Sequence, residues 1–504
     1  MTVFSTLALG FKMIFSDPHI LMFLTGGTVL GLIFGCIPGL TAALGVALIL
    51  PFTYAMEPVQ GIVTLIGIYV GGISGGLYAA ILLNIPGTSA SIVTTFDGSP
   101  MARNGEAPRA LSMGIFASFT GGIISMFFLI TIAPQLAKIA LVFGPWEYAA
   151  LGILGLSVVV SLVGEDMVKG LIAAVVGIFL AMVGMDPVLG IPRFTGGIWQ
   201  LNSGFSIIAT LMGFFAVSEM LFQVQKIGRQ ETNLLTVKQK IPFFPTLKDI
   251  KLCLSALGIG SIFGVGIGIL PGVGQSTASM LAYSQVKTMS KTPEKFGKGC
   301  IEGVAVSESA NNAVNGGAMI PMMTLGIPGD VVTSILLGGL VIHGLQPGPL
   351  LFKVNADIVG SMFVGYALAN ILMLVLSLSM IRVFMRLLRV PATILYPIIF
   401  VMCVLGTYSI NNRIFDIWVL LICGFIGYLL IRNGFSLPPL ILGYILGPII
   451  ELNYRTAILA SGGNPLDVFH YPIALSILAL AVVFIVIPVV KQFRKSGTAA
   501  HITS

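Results

Sequence analysis

Charge is what this chain has least of. Only 9% of its 504 residues are Asp, Glu, Lys or Arg, against about 25% in an ordinary soluble domain. With 56% apolar residues and a mean hydropathy of +1.02, that scarcity excludes a soluble globular protein, and the hydropathy excludes a disordered one. The five cysteines (Cys36, Cys253, Cys300, Cys403, Cys423) are scattered in or beside apolar segments with no C-x-x-C pair. Neither a disulfide framework nor a zinc site is indicated, and they read as packing residues. The four histidines form no H-E-x-x-H motif, which leaves zinc catalysis unsupported. Lys12 stands in mid-segment and no small-residue cleavage site precedes the first apolar run, so a cleaved signal peptide is not expected. What remains is an all-α, polytopic membrane protein. Its 61 glycines and 27 prolines then mark broken and closely packed transmembrane helices.

The few charges are unevenly placed. No Lys or Arg lies between Lys12 and Arg103, while ten lie between Lys226 and Lys298 against three acids, which accounts for the formal excess of +7. These basic residues flank apolar segments and carry no stacking aromatics between them, so the positive-inside rule explains them better than nucleic-acid binding does. Residues 20–56 are 37 mostly apolar positions divided by Pro38-Gly39, leaving about 18 per leg where a full span needs about 20. A hairpin that enters from outside, breaks and returns fits that length. Residues 252–286 have the same length and a central break at Pro271-Gly272, but basic flanks at Lys248/Lys251 and Lys287/Lys291. That hairpin is expected to enter from the cytoplasm.

The two hairpins belong to a repeated stretch. Gly31, Gly35, Pro38 and Gly39 match Gly264, Gly268, Pro271 and Gly272 at an offset of 233, and Pro86-Gly87 matches Pro328-Gly329 at 242. Paired Gly/Pro-interrupted apolar segments in two halves of a membrane chain point to the binding site of a transporter. The expected fold is therefore two inverted-topology repeats with re-entrant hairpins and broken helices. It divides into an N-terminal segment (1–19), a first repeat (20–224), a basic cytoplasmic linker (225–251), a second inverted repeat (252–453), and a last helix with a cytoplasmic tail (454–504). Apolar runs near 110–133, 146–163, 168–185 and 205–224, and later near 357–380, 391–410, 414–431, 435–453 and 470–490, close the parity with the N-terminus outside and the C-terminus in the cytoplasm.

Chemistry concentrates at the breaks. A Pro-Gly tip opens a helix whose first N–H groups are unpaired and carry partial positive charge, which suits a carboxylate. The candidate substrate-binding residues are Gly39, Leu40 and Thr41; Asn84, Gly87, Thr88 and Ser89; Gly272, Val273, Gly274 and Gln275; Gly329 and Asp330. The plainer reading is that each Pro-Gly pair kinks a helix and the polar residues cap it, Asp330 included. Glu308-Ser309-Ala310-Asn311-Asn312-Ala313-Val314-Asn315-Gly316-Gly317 occupies the place of Gly71–Gly76 in the first copy. An ionised group at mid-membrane costs about 2.5–3.5 kcal/mol on insertion scales and so faces a cavity or a partner. Ser74, Glu308, Asn311, Asn312 and Asn315 form a candidate Na⁺ region, unless Glu308 merely lies near the cytoplasmic mouth. Asp97-Gly98-Ser99-Pro100 and His343-Gly344-Leu345-Gln346-Pro347-Gly348 both read as turns.

The motifs G-x-I-P-G-L at 35–40, G-G-I-S-G-G at 71–76, N-I-P-G-T at 84–88, D-G-S-P-M-A at 97–102, S-E-S-A-N-N-A-V-N-G-G at 307–317 and T-L-G-I-P-G-D at 324–330 resemble the large membrane subunit of the tripartite tricarboxylate transporters, the TctA family. The resemblance spans nearly the whole chain. It implies a permease of the bacterial inner membrane, not an enzyme, working with a small integral-membrane subunit and a periplasmic substrate-binding protein. It implies a cation gradient, commonly Na⁺, with H⁺ the other candidate coupling ion and no further cofactor. Carried to this sequence, the family's signature regions fall on Gly35–Leu40 with Asn84–Thr88 and on Leu270–Gly274 with Gly326–Asp330. The resemblance implies citrate-like di- and tricarboxylates as the substrate class, with the individual acid not fixed by these motifs; the expected partners include membrane lipid and no nucleic acid, and a homo-oligomer is left open. Two other readings remain: an organic-anion channel or facilitator, and an intramembrane hydrolase with Asp97 and Asp330 as a carboxylate dyad.

Overall fold

With no water in a bilayer core to satisfy backbone N–H and C=O groups, an apolar chain is driven to helix. In the computed structural model nearly all of the chain is helical; residues 3–162, 167–225, 244–387, 390 and 392–500 are described. The basic linker expected at 225–251 falls largely outside them. The first half contains α1 (Val3–Ser16), α2 (Pro18–Cys36), α3 (Ala42–Thr53), α4 (Pro58–Leu83), α5 (Ile92–Met101), α6 (Ala107–Ala140), α7 (Pro145–Leu162), α8 (Met167–Ala181), α9 (Ile207–Met212) and α10 (Ser218–Val224). The second contains α11 (Leu247–Gly268), α12 (Gly274–Met289), α13 (Ile301–Leu325), α14 (Val331–Ile342), α15 (Pro349–Val354), α16 (Ala356–Ser379), α17 (Ile381–Leu387), α18 (Ala392–Asn411), α19 (Ile414–Arg432), α20 (Leu437–Ala460) and α21 (Pro472–Ala500). A two-residue antiparallel ladder, β1 (Gly184–Met185) on β2 (Pro192–Arg193), pairs Gly184 with Arg193 and Met185 with Pro192. Among the described residues nine helical stretches are long and apolar enough to cross a membrane.

The breaks fall where Pro and Gly stand. α2 ends before Ile37 and α3 begins after Thr41, with Gly39 at φ 88° between them; α11 ends before Ile269 and α12 begins at Gly274, with Gly272 at φ 73°. Positive φ is open to Gly without the clash a Cβ would bring. α4 and α13 both terminate in left-handed residues, Asn84 and Gly326. The 12 residues of α3 extend about 18 Å, well short of the roughly 30 Å of a hydrocarbon core.

Glycine contacts repeat between the two halves. A Cβ on Gly27, Gly31 or Gly35 would run into the backbone oxygens of Thr64, Ile68 and Gly72; on Gly260, Gly264 or Gly268 it would run into those of Val306, Ala310 and Val314. The glycines are 233 residues apart and their partners 242, the two offsets read from the sequence. Gly87 likewise lies on Gly35 and Gly76, as Gly329 lies on Gly268 and Ala318. Lipid gives little hydrophobic reward for helix association, so backbone-to-backbone approach through small residues supplies the packing. α4 against α2, and α13 against α11, are thus the paired cores of the two halves.

Two features depart from the sequence expectation. Asp97-Gly98-Ser99-Pro100 is not a turn but the body of α5, with Asp97 fully buried; turn-rich composition yields to helix where backbone groups must be satisfied internally. The boundary placed at 453/454 lies inside α20, which runs on to Ala460. His343 does begin a turn, as expected, at the C-cap of α14.

Gly31→Ala should destabilise the protein by about 1–3 kcal/mol, the usual cost of overpacking, and lower the thermal unfolding midpoint in detergent. Gly26→Ala, where a Cβ meets nothing within 4 Å, should leave it unchanged.

Candidate functional site

Four breaks converge on one cavity of about 390 Å³, lined by Thr41, by Thr88 and Ser89, by Gly272 to Ser276, and by Val331 and Val332. Phe214, Phe215, Ser218 and Glu219, with Ile431, Leu437 and Pro438, complete its wall. Seven of the sequence-derived binding residues (Thr41, Thr88, Ser89, Gly272, Val273, Gly274, Gln275) therefore share one space. The others do not line it. Gly39 sits beside Tyr396 and Gln223, Leu40 and Gly329 are buried, and Asn84 is exposed. Gly87 is pressed against Gly35 and Gly76.

Helix starts supply the polar character of the tips. The Thr41 hydroxyl accepts from Leu44 N at 3.1 Å, and the Thr88 amide donates to Ser91 Oγ at 3.3 Å. α12 begins without a side-chain cap, which leaves its first N–H groups to the cavity. Asp330 does cap its own helix: Oδ1 accepts from Thr333 N and Thr333 Oγ1, each at 2.7 Å. Its second oxygen is turned away from the cap and accepts from Tyr69 Oη at 2.6 Å and from Gln275 Nε2. Asp330 thus reaches the cavity through Gln275, whose amide also donates to Asn315 Oδ1 at 3.5 Å.

α13 carries the second polar cluster. Glu308, Asn311, Asn312 and Asn315, spaced three and four residues apart, occupy one helix face, and all are fully buried. Glu308 accepts from Thr94 Oγ1 at 2.5 Å on one oxygen and from Ser118 Oγ at 2.9 Å on the other. Asn312 donates to the Glu308 carbonyl at 3.1 Å and accepts from Ser74 Oγ at 2.6 Å. Both polar atoms of the Asn311 side chain, and Asn315 Nδ2, are buried without a hydrogen-bond partner. Among the described residues neither Glu308 nor Asp330 is paired with Lys or Arg. An uncompensated buried carboxylate is costly, and oxygen-bearing side chains around it are the donor set of a hard cation. No cluster of three or more His, Cys, Asp or Glu side chains suited to a transition metal occurs among the described residues.

Sequence reasoning missed Tyr69, Thr94, Ser118 and Glu219. Tyr69, Thr94 and Ser118 are brought to their partners in the second half only by the fold, and Glu219 to the tips likewise. Asp97 has a different place. Its Oδ1 accepts from the amides of Gly297, Gly299 and Cys300 at 2.8, 2.9 and 2.7 Å, and Oδ2 accepts from Tyr283 Oη at 2.7 Å. It clamps the loop before α13 and shares no partner with Asp330, so the carboxylate dyad required of an intramembrane hydrolase is not formed.

Broken helices meeting at a half-open, solute-sized cavity with polar groups at its tips are the arrangement expected of a polytopic membrane protein of transporter type. Within that class, the model of the tripartite tricarboxylate transporter TctA family matches residues 21–442, and the chain belongs to this family of transporters. It is similar to an Agrobacterium vitis protein described as "Uncharacterized 52.8 kDa protein in TAR-I ttuC' 3'region", with 37% identity over 498 residues, 98% of each chain. A second protein of that organism, "Uncharacterized protein in TAR-II ttuC' 3'region", is 38% identical over 232 residues, 45% of this chain and 94% of its own. No solved structure matches.

Asp97→Ala should release the Gly297–Cys300 loop. Hydrogen bonds to a charged acceptor contribute about 1.5–3 kcal/mol each, so amide exchange at Gly297, Gly299 and Cys300 is expected to accelerate at least about tenfold. Unchanged exchange would mean that another contact holds the loop.

Proposed function

We propose that this chain is the large permease subunit of a binding-protein-dependent secondary transporter, importing di- or tricarboxylates by cation symport with alternating access. The observation that carries the reading is the cavity in which four helix breaks meet, two from each half of the chain. Substrate carboxylates would lie against the open N-terminus of α12 and the hydroxyls of Thr41, Thr88 and Ser89. The coupling ion, Na⁺ or H⁺, would be held near Ser74, Glu308, Asn311, Asn312 and Asn315, where a buried carboxylate stands beside unpaired amide groups.

Electrostatics supports the coupling. Among the described residues no Lys or Arg lines the cavity and Glu219 does, so these residues offer a polyanion little full positive charge. Moving a trianion inward against 100 mV, inside negative, costs about 7 kcal/mol at about 2.3 kcal/mol per charge. At least three monovalent cations per trianion, or two per dianion, remove that electrical cost. The basic residues around 226–298 support an orientation with the tip cavity's Glu219 end toward the cytoplasm of a bacterial inner membrane and the N-terminus outside. The two halves then act as inverted repeats with re-entrant hairpins α2–α3 and α11–α12. The partners of this reading are a small integral-membrane subunit and a periplasmic binding protein, and the latter selects the acid.

Uptake of labelled mono-, di- and tricarboxylates into sealed vesicles holding this chain, its small partner and the binding protein tests the proposal. Accumulation that needs both the cation gradient and the binding protein is expected. Equilibration without accumulation would instead establish a facilitator. Glu308→Gln should abolish accumulation while the protein still inserts and folds; accumulation at the wild-type level would remove Glu308 from coupling.

A further inference from the structure

A second and larger cavity, of about 810 Å³, lies on the other side of the fourth tip, Gly326–Asp330. Its lining includes Tyr444, Pro448, Leu452 and Asn453 of α20, whereas the tip cavity takes Leu437 and Pro438 from the other end of that helix. Fifteen residues of helix from Pro438 to Asn453 rise about 22 Å. α9 and α10 agree: Ile207, at the start of the segment, lines the larger cavity, and Phe214 to Glu219 line the tip cavity. The two spaces therefore open toward opposite ends of the same helices.

They meet along α14. Ser334, Leu337, Gly338 and Val341, spaced as one helix face, line the larger cavity together with Leu325 and Gly326, while Val331 and Val332 line the tip cavity. The separating wall is one helical turn thick. Ser334 Oγ donates to the Asp330 carbonyl at 3.0 Å, and the Asp330 carboxylate accepts from Gln275, a residue of the tip cavity. A short hydrogen-bonded path thus joins the two spaces through the fourth Pro-Gly break.

Among its described lining residues the larger cavity has no charged side chain; Asn202, Ser203, Gln346 and Asn453 are polar groups among mostly apolar neighbours. Beside it the loop bearing β1 and β2 is fastened to α20 by ion pairs: Arg193 Nη2 to Glu451 Oε2 at 2.6 Å and Arg455 Nη1 to Asp186 Oδ2 at 2.6 Å. The Arg455 hydrogen bond, with the Leu189 amide, holds the Asp186 carboxyl below the usual carboxylate range. A depressed carboxylate stabilises the fold above its unfolded pKa and loses that contribution only as pH falls through the depressed value. The rim therefore stays fastened at ordinary pH.

We infer that the larger cavity is the vestibule of the substrate path on the face opposite the tip cavity, a transient site for the same small carboxylates. The partition between them is the break Gly326–Asp330 with the first turn of α14. This rests on the transport reading, and it adds the second half of the path and the element that must move to join the halves. Uncharged polar groups suit such a role, since a vestibule that bound the anion tightly would slow its passage.

Sided thiol labelling tests the inference without requiring transport. All five native cysteines are buried, so the wild-type chain is the low-labelling reference. A Cβ at Gly338 meets only ordinary contacts with Leu211 and Ile207 at 3.6 and 3.7 Å, which makes Gly338→Cys a mild change, with Leu337→Cys as the second variant should the first not fold. A charged, membrane-impermeant thiol reagent should label Gly338→Cys from one face and Ser276→Cys from the other, each at least about tenfold faster than the wild-type chain, because thiol reactivity follows access. Labelling of both from the same face would overturn the inference. So would labelling of Gly338→Cys by an apolar, membrane-permeant maleimide alone, which would show a lipid-filled space. Correct sidedness in a protein that moves no acid would instead overturn the transport reading and leave the two-cavity geometry in place.

Discussion

Asp97, Glu308 and Asp330, each exposed by 1% or less, have no cationic partner among the described residues, and the polar architecture follows from how each is accommodated. Asp97 has three backbone amides and a tyrosine hydroxyl, enough donors to stabilise an ionised oxygen pair in low dielectric. Asp330 has the N-terminus of its own helix on one oxygen and two side-chain donors on the other. Glu308 has only two hydroxyls, beside an Asn311 whose amide is unpaired. The order of compensation falls from Asp97 to Glu308. The least compensated group is the one that most needs a further positive charge, and its α13 carboxylate is held by hydroxyls of α5 and α6 from the other half.

That ordering explains what was legible in the sequence. Breaks at Pro38-Gly39, Pro86-Gly87, Pro271-Gly272 and Pro328-Gly329 are written in residue types with fixed backbone consequences, so the tips and the part of the cavity lining that lies on them could be named in advance, while the wall from Phe214 to Glu219 and from Ile431 to Pro438 could not. Helical runs such as 414–431 emerge as α19 with nearly the same bounds. The D-G-S-P run misled because its turn propensity is a property of water-exposed chains, and at α5 the surrounding helices leave the backbone no other donor or acceptor. Tyr69, Thr94 and Ser118 carry no local signal, because their role is fixed by partners some 200 residues away. The larger cavity was equally invisible, being assembled from mostly apolar side chains on several separate elements.

The repeat itself shows where function was added to architecture. Glycine contacts between α2 and α4 recur between α11 and α13 at constant offsets, so both halves keep the same close backbone approach. Their polar residues differ. At an offset of 242, Thr88 corresponds to Asp330 and Tyr69 to Asn311, and at 233 Ala42 corresponds to Gln275. To the tips and the α13 cluster the first half contributes hydroxyls, one tyrosine and Glu219, while the second contributes Glu308, Asp330, three asparagines and the glutamine. Packing constrains the glycines in both copies alike, whereas chemistry needs its charged groups only once.

This asymmetry bears on how an anion could be carried at all. On the proposed reading, a polyanion in the tip cavity would meet hydroxyls, helix N–H groups and Glu219, with no Lys or Arg among the described lining residues. Helix N-termini contribute about half a positive charge each, so two or three of them leave a di- or trianion partly uncompensated, and Glu219 adds repulsion. A cation near Glu308 would supply the missing charge through the chain Asn315, Gln275 and Asp330 that links α13 to the tips. On this argument ion and substrate are each poorly held alone and well held together. That mutual dependence is what makes a symporter couple, since neither empty half-site is then stable enough to cross unaccompanied.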